Sequence, residues 1–136
     1  LRDANLTNSN MSDSNLYGVT LRDANLFGAN LERTFLRGAN LTGANFYTVN
    51  LSEASLSEAN LTAVNLYGAN LTNADLTGSK LFLANLALAN LTGANLTDAN
   101  LEGAVLTGSI LTGAVLKGSI LTDAVLTDAN LADARR

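Results

Sequence analysis

The sequence predicts an all-β solenoid, a coil of short strands and bends stacked on itself, that takes up residues 1–136 as a single domain. Three observations predict it. Leucine recurs at every fifth position: 25 of the 27 positions from Leu1 to Leu131 are Leu, Met11 and Phe46 fill the other two, and no insertion breaks the step. Three residues after each of these positions stands a small side chain, 18 Ala, five Ser, three Val and Thr34. All 11 glycines, from Gly18 to Gly118, fall in one column two residues after the leucine. A period this short and unbroken marks a repeat architecture.

The unit can be numbered from its leucine. The first and fourth positions carry no charge up to Ala134, so they are the inside. The second is loose, the third holds the glycines, and the fifth is mostly Asn, as at Asn5, Asn25, Asn45, Asn65 and Asn85. An α-helix does not suit this pattern: five residues advance by about 500°, and the leucines would wind around the axis. A straight strand does not either, because an odd step sends alternate leucines to opposite faces. Three extended residues followed by a two-residue bend succeed. Within Ala-Asn-Leu the outer two point in and Asn points out, and the bend resets the phase. Glycine in the third position fits a type II turn, which needs positive φ there. Asn, Asp, Glu and Arg share that column, which predicts a different turn type at their bends. The backbone groups of each short strand must pair, and the coils above and below, about 4.8 Å away, are the partners.

Coincidences at a lag of 20 favour four sides per coil. Phe27, Tyr47 and Tyr67 are so spaced and should stack as a ladder; Asn5 to Asn85 should form a ladder of five amides. Tyr17 should lie against Arg37 in a cation–π contact. Twenty residues per coil give about 6.8 coils and a rod roughly 33 Å long.

Composition narrows the function. Of the 136 residues, 47% are hydrophobic, enough for a core, and His, Cys, Trp and Pro are absent. Disulfides and thiolate or imidazole metal sites are excluded. The net charge of −4 argues against a basic nucleic-acid surface and hence against direct nucleic-acid binding. No apolar run approaches the roughly 18 residues of a membrane span. A chain that begins with Leu1 is expected to be a processed or excised part of a longer protein.

The units Ala39-Asn40-Leu41-Thr42-Gly43 and Ala94-Asn95-Leu96-Thr97-Asp98 closely resemble the pentapeptide repeat family, whose consensus is A(D/N)LXX. The resemblance covers essentially the whole chain. It implies a right-handed quadrilateral β-helix, here about seven coils of 20 residues. One branch of that family binds DNA gyrase, protects it from quinolones and resembles a DNA duplex in size and charge. A topoisomerase-binding DNA mimic is therefore the second expectation. The acidic end supports it: Asp98, Glu102, Asp123, Asp128 and Asp133 stand against Lys117 alone.

The first expectation is a non-enzymatic rigid scaffold or protein-interaction module, with a protein partner. No catalytic, cofactor or metal residues are expected. General acid–base work most often uses His, and the Ser and Thr have no base beside them. Asp3 and Asp23 stack one coil apart, but Arg2 and Arg22 sit next to them as charge partners. The candidate partner surface is Phe82, Leu83 and Leu88, which interrupt the polar habit of the outward columns, followed by the ladder Phe27, Tyr47 and Tyr67. Val105, Ile110, Val115, Ile120 and Val125 replace Asn near the C-terminus and are expected to strengthen strands. Bare terminal coils would expose strand edges, and end-to-end self-association is expected from them.

Overall fold

A computed structural model describes all 136 residues as one continuous coil. Each unit contributes a two-residue turn at its second and third positions and a single parallel bridge at its fifth. The bridges join residues 20 apart, from Asn5–Asn25 to Val115–Arg135, so each coil has four turns and four sides. The interior is the leucine column and the small-residue column. A cluster of 36 buried residues runs from Leu21 to Leu116, with Phe46 buried in the leucine column. The outermost leucines, Leu6, Leu16, Leu121, Leu126 and Leu131, are covered on one side only and remain partly exposed.

In an interior unit that follows an Asn or Asp, every backbone N–H has an acceptor. The Leu41 amide donates to the Asn60 carbonyl of the next coil at 2.8 Å, and the Gly43 amide to Thr42's counterpart there, Thr62, at 3.0 Å. The Ala44 amide closes its own turn on the Leu41 carbonyl at 3.1 Å, and the Asn45 amide donates back to Ala24 of the previous coil at 2.9 Å. The second-position amide has no carbonyl within reach. It donates instead to the side chain two residues before it: Thr42 N–H meets Asn40 Oδ1 at 3.2 Å, and Thr97 N–H meets Asn95 Oδ1 at 3.1 Å. Every Asn or Asp in the fifth position makes this bond, Asp75 to Thr77 included. Asparagine is therefore a backbone component here, since an Asx turn supplies the one acceptor that the coil lacks.

Two expectations are corrected by the structure. The third position has positive φ in all units, between 53° at Thr48 and 68° at Gly43, whatever the residue. The bends that carry Asp, Glu or Arg do not differ in this respect from the glycine bends, because stacking in register forces each turn to copy the one below. Arg37 does not cover Tyr17. Its guanidinium donates to Glu58 Oε1 at 2.8 Å, a charge-assisted bond that outcompetes a ring face in water.

Candidate interaction surface

Phe82 and Leu83 form one turn and Ala87 and Leu88 the next, with the side Ala84-Asn85-Leu86 between them. The three candidate residues thus lie on two adjacent corners of one coil rather than in one contiguous spot. Leu83 and Leu88 are 54% and 55% exposed. Both hold φ at +57°, a region costing L-residues roughly 1–2 kcal/mol that elsewhere in this column goes mostly to Gly, Asp and Asn. Each leans over a glycine of the next coil: a Cβ built on Gly103 would stand 2.8 Å from Leu83 Cδ2, and one on Gly108 2.7 Å from Leu88 Cδ2. Glycine there is what admits the two leucines.

The aromatic ladder forms as expected. Phe27 and Tyr47 stack with centroids 5.5 Å apart and 12° between planes, and Tyr47 and Tyr67 at 5.1 Å and 4°. The rings bury one another's faces and present edges to solvent. The column continues upward to Ala87, so the ladder and Leu83 bound the same side of the coil, with Asn45, Asn65 and Asn85 between them. Those amides are linked: Asn45, Asn65 and Asn85 donate to Asn25, Asn45 and Asn65 at 3.1, 3.1 and 3.3 Å. Asn5 is not linked, so this ladder has four members. A second ladder, Asn10, Asn30, Asn50 and Asn70, runs up the next side.

The most exposed aromatic residues are others: Tyr17 at 70% and Phe35 at 57%. The repeat pattern alone does not single out Phe35, although it is the one aromatic in the fifth position, where Asn is the rule. It sits between Arg33 and Arg37 along the chain, and both guanidiniums are engaged. Arg33 grips Asp13 through two bonds of 2.7 and 2.9 Å and also pairs with Glu32. The hydrogen bond from Arg33 holds the Asp13 carboxyl below the ordinary carboxylate range, and the same partner raises the Arg33 guanidinium. Arg2 and Arg22 lie 3.8 and 3.2 Å from Asp23, so the stacked pair Asp3 and Asp23 is a solvated ion cluster. No helix is long and apolar enough to cross a membrane.

The pattern described as pentapeptide repeats matches in eight copies, over residues 1–23, 21–56, 44–81, 84–123 and 109–135. Among solved structures, the chain is similar to HetL, a pentapeptide repeat protein involved in heterocyst differentiation regulation in the cyanobacterium Nostoc, with 35% identity, a TM-score of 0.64, and coverage of 98% of this chain and 73% of HetL. It is similar also to AT2G44920, a pentapeptide repeat protein from the thylakoid lumen of Arabidopsis thaliana, with 34% identity, a TM-score of 0.59 and 72% of each chain covered. Trypsin-treated QnrB1, a plasmid-mediated fluoroquinolone resistance protein, shares the fold at 19% identity and a TM-score of 0.50, over 93% of this chain and 74% of that one. No curated protein sequence matches.

Proposed function

Because the chain belongs to the pentapeptide repeat family and so to right-handed β-helices, we propose that it acts without catalysis, as a rigid rod that holds a protein-binding surface. The observation that supports this most is the pair Leu83 and Leu88. Two large apolar side chains stand more than half exposed on strained turns, which is a cost in the isolated rod that a partner would recover by covering them. Phe82, at the corner of Leu83, and the ladder Phe27, Tyr47 and Tyr67 are the further contact residues in this proposal. A pull-down with the wild-type rod, set beside the triple variant Phe82→Ala, Leu83→Ala, Leu88→Ala, tests it. A partner retained by wild type and lost by the variant is the expected result. Identical behaviour of both would leave the rod as a plain spacer.

A DNA-mimic role at a topoisomerase is the second proposal, favoured by the acidic end. Duplex DNA carries one charge per about 1.7 Å, which on a rod of about 33 Å would be about 19 negative charges. The whole chain has a net charge of −4, so the likeness in charge is weak. A gyrase supercoiling assay that shows neither inhibition nor drug protection at micromolar rod would remove it.

A further inference from the structure

The side of the rod that carries Phe35 has a pattern of charge and size of its own. Residues 33, 35 and 37 point outward around buried Thr34 and Leu36, so each coil shows three side chains on this side. With 20 residues per coil they stack in three columns. The first column runs Asp13, Arg33, Glu53, Asn73. The second runs Asn15, Phe35, Ser55, Asp75. The third runs Tyr17, Arg37, Ser57, Thr77, and Glu58 stands next to Ser57. Tyr17 and Phe35, the two most exposed aromatic side chains, therefore share one side. Each of its two arginines meets a glutamate one coil further on: Arg33 lies under Glu53, and Arg37 already bonds Glu58 at 2.8 Å.

Such a side is complementary to itself turned end over end. With a two-fold axis midway between the coils of Phe35 and Ser55, each column faces its own reverse in a second copy. Arg33 then faces Glu53 of the second copy, and Arg37 faces the turn of Ser57 and Glu58. By symmetry both contacts occur twice. Phe35 lies over Ser55, the smallest residue in its column, and Tyr17 over Thr77. Asn15, whose Nδ2 has no partner in its own chain, faces the Asp75 carboxylate. The Arg37 amide, unbonded because Phe35 replaces Asn, has the Ser57 hydroxyl of the second copy opposite it. Other arrangements fail on charge. Copies laid in the same direction set Arg33 against Arg37 and Glu53 against Glu58. A shift of one coil sets Arg33 against Arg33 or Glu53 against Glu53. The face is four coils long and four residue steps wide, about 19 by 13 Å or about 250 Å² per copy. A standard interface buries roughly 800 Å² per partner, so the contact is a transient one that owes its register to charge.

We propose that two copies of the chain pair through this side, antiparallel, in a weak dimer with Arg33 and Arg37 of each copy set against Glu53 and Glu58 of the other. The proposal stands apart from the partner-binding role above, because Leu83 and Leu88 lie on other sides. Two charge variants test it, Arg33→Glu with Arg37→Glu, and Glu53→Arg with Glu58→Arg. Glu already occupies both turn positions, at Glu32 and Glu53, and Arg the third, at Arg33, so both variants keep the fold. Sedimentation velocity at low salt, with protein up to about 0.5 mM, reads the result. Wild type should dimerise towards the top of that range, and salt should dissolve the dimer. Each variant alone should associate at least about tenfold more weakly, since every Arg–Glu contact becomes one of like charge. An equimolar mixture of the two should recover the dimer, because all four contacts are again of opposite sign. Arg2→Glu with Arg22→Glu makes the same change of net charge on another side and should behave as wild type. A wild type that stays monomeric throughout, variants that associate as it does, or a mixture that stays monomeric would each overturn the dimer. Loss of association in the Arg2 and Arg22 variant would overturn its placement on this side.

Discussion

The coils that carry Asn in the fifth position and the belt Val105, Ile110, Val115, Ile120, Val125 share the leucine column and the same turns, although Leu121 and Leu126 at the belt's end are only partly buried, yet they solve one problem differently. In the Asn coils the second-position amide is bonded to Oδ1, as Tyr67 is to Asn65 at 3.3 Å and Thr92 to Asn90 at 3.0 Å. In the belt the amides of Thr107, Thr112, Lys117, Thr122 and Thr127 find no acceptor in the protein and are left to water. The bridges nonetheless continue through the belt without a break. The fold therefore rests on the leucine shaft and the bonds between coils, and the asparagine adds a local closure that the coil can forgo.

The largest effect should not distinguish the two regions at all. Leu61→Ala, among Asn coils, and Leu111→Ala, inside the belt, should each cost about 2–5 kcal/mol in chemical denaturation. A cost confined to one of them would break the comparison at its base. Exchanging the outer residues should then separate the regions. Asn65→Val removes the bond to Tyr67 and two ladder bonds, and about 1–3 kcal/mol is expected. Asn60→Val removes only the bond to Thr62 and should cost less. Val115→Asn restores an acceptor to Lys117 and should be neutral or gain up to about 1 kcal/mol. A gain of similar size tests the shared turn geometry. Thr48 is β-branched at φ 53°, and Thr48→Gly should raise stability by about 0.5–1 kcal/mol.

The smallest effect is electrostatic. Asp13 is held below its ordinary value by Arg33, so its contribution is present above the usual Asp range near pH 3.9 and fades as pH falls through the lowered value. Melting curves of Asp13→Asn and wild type should differ slightly near neutral pH and converge in acid. High salt should also erase the difference, since the pair is exposed.

Much of the fold was legible because the repeat reports on the core directly. Leucine in the first position and alanine in the fourth mark the two columns that cannot face water, and the lag of 20 in Phe27, Tyr47 and Tyr67 anticipated the stacked rings. The role of Asn was less legible. Its outward placement follows from strand alternation, but its bond to a backbone amide depends on the turn it precedes, and only the folded turn shows which amide is orphaned. The turn conformation was misjudged for a related reason. Residue preference predicts φ one bend at a time, whereas register between coils imposes a single sign on all of them, so Glu53 and Leu83 adopt what Gly43 adopts. Arg37 was assigned to the ring below it because lag-20 spacing shows vertical neighbours and not Glu58, which lies 21 residues on.

Residue-resolved amide hydrogen exchange tests the central claim most directly, because it reports the closure of each turn separately. The amides of Tyr67, Thr92 and Thr97, two residues after Asn, should exchange markedly more slowly than those of Thr107 and Thr112, two residues after Val or Ile and still covered by a coil above. The Leu and Ala amides bonded between coils and across turns should be protected equally in both regions. Equal rates for the two sets of second-position amides would contradict the account.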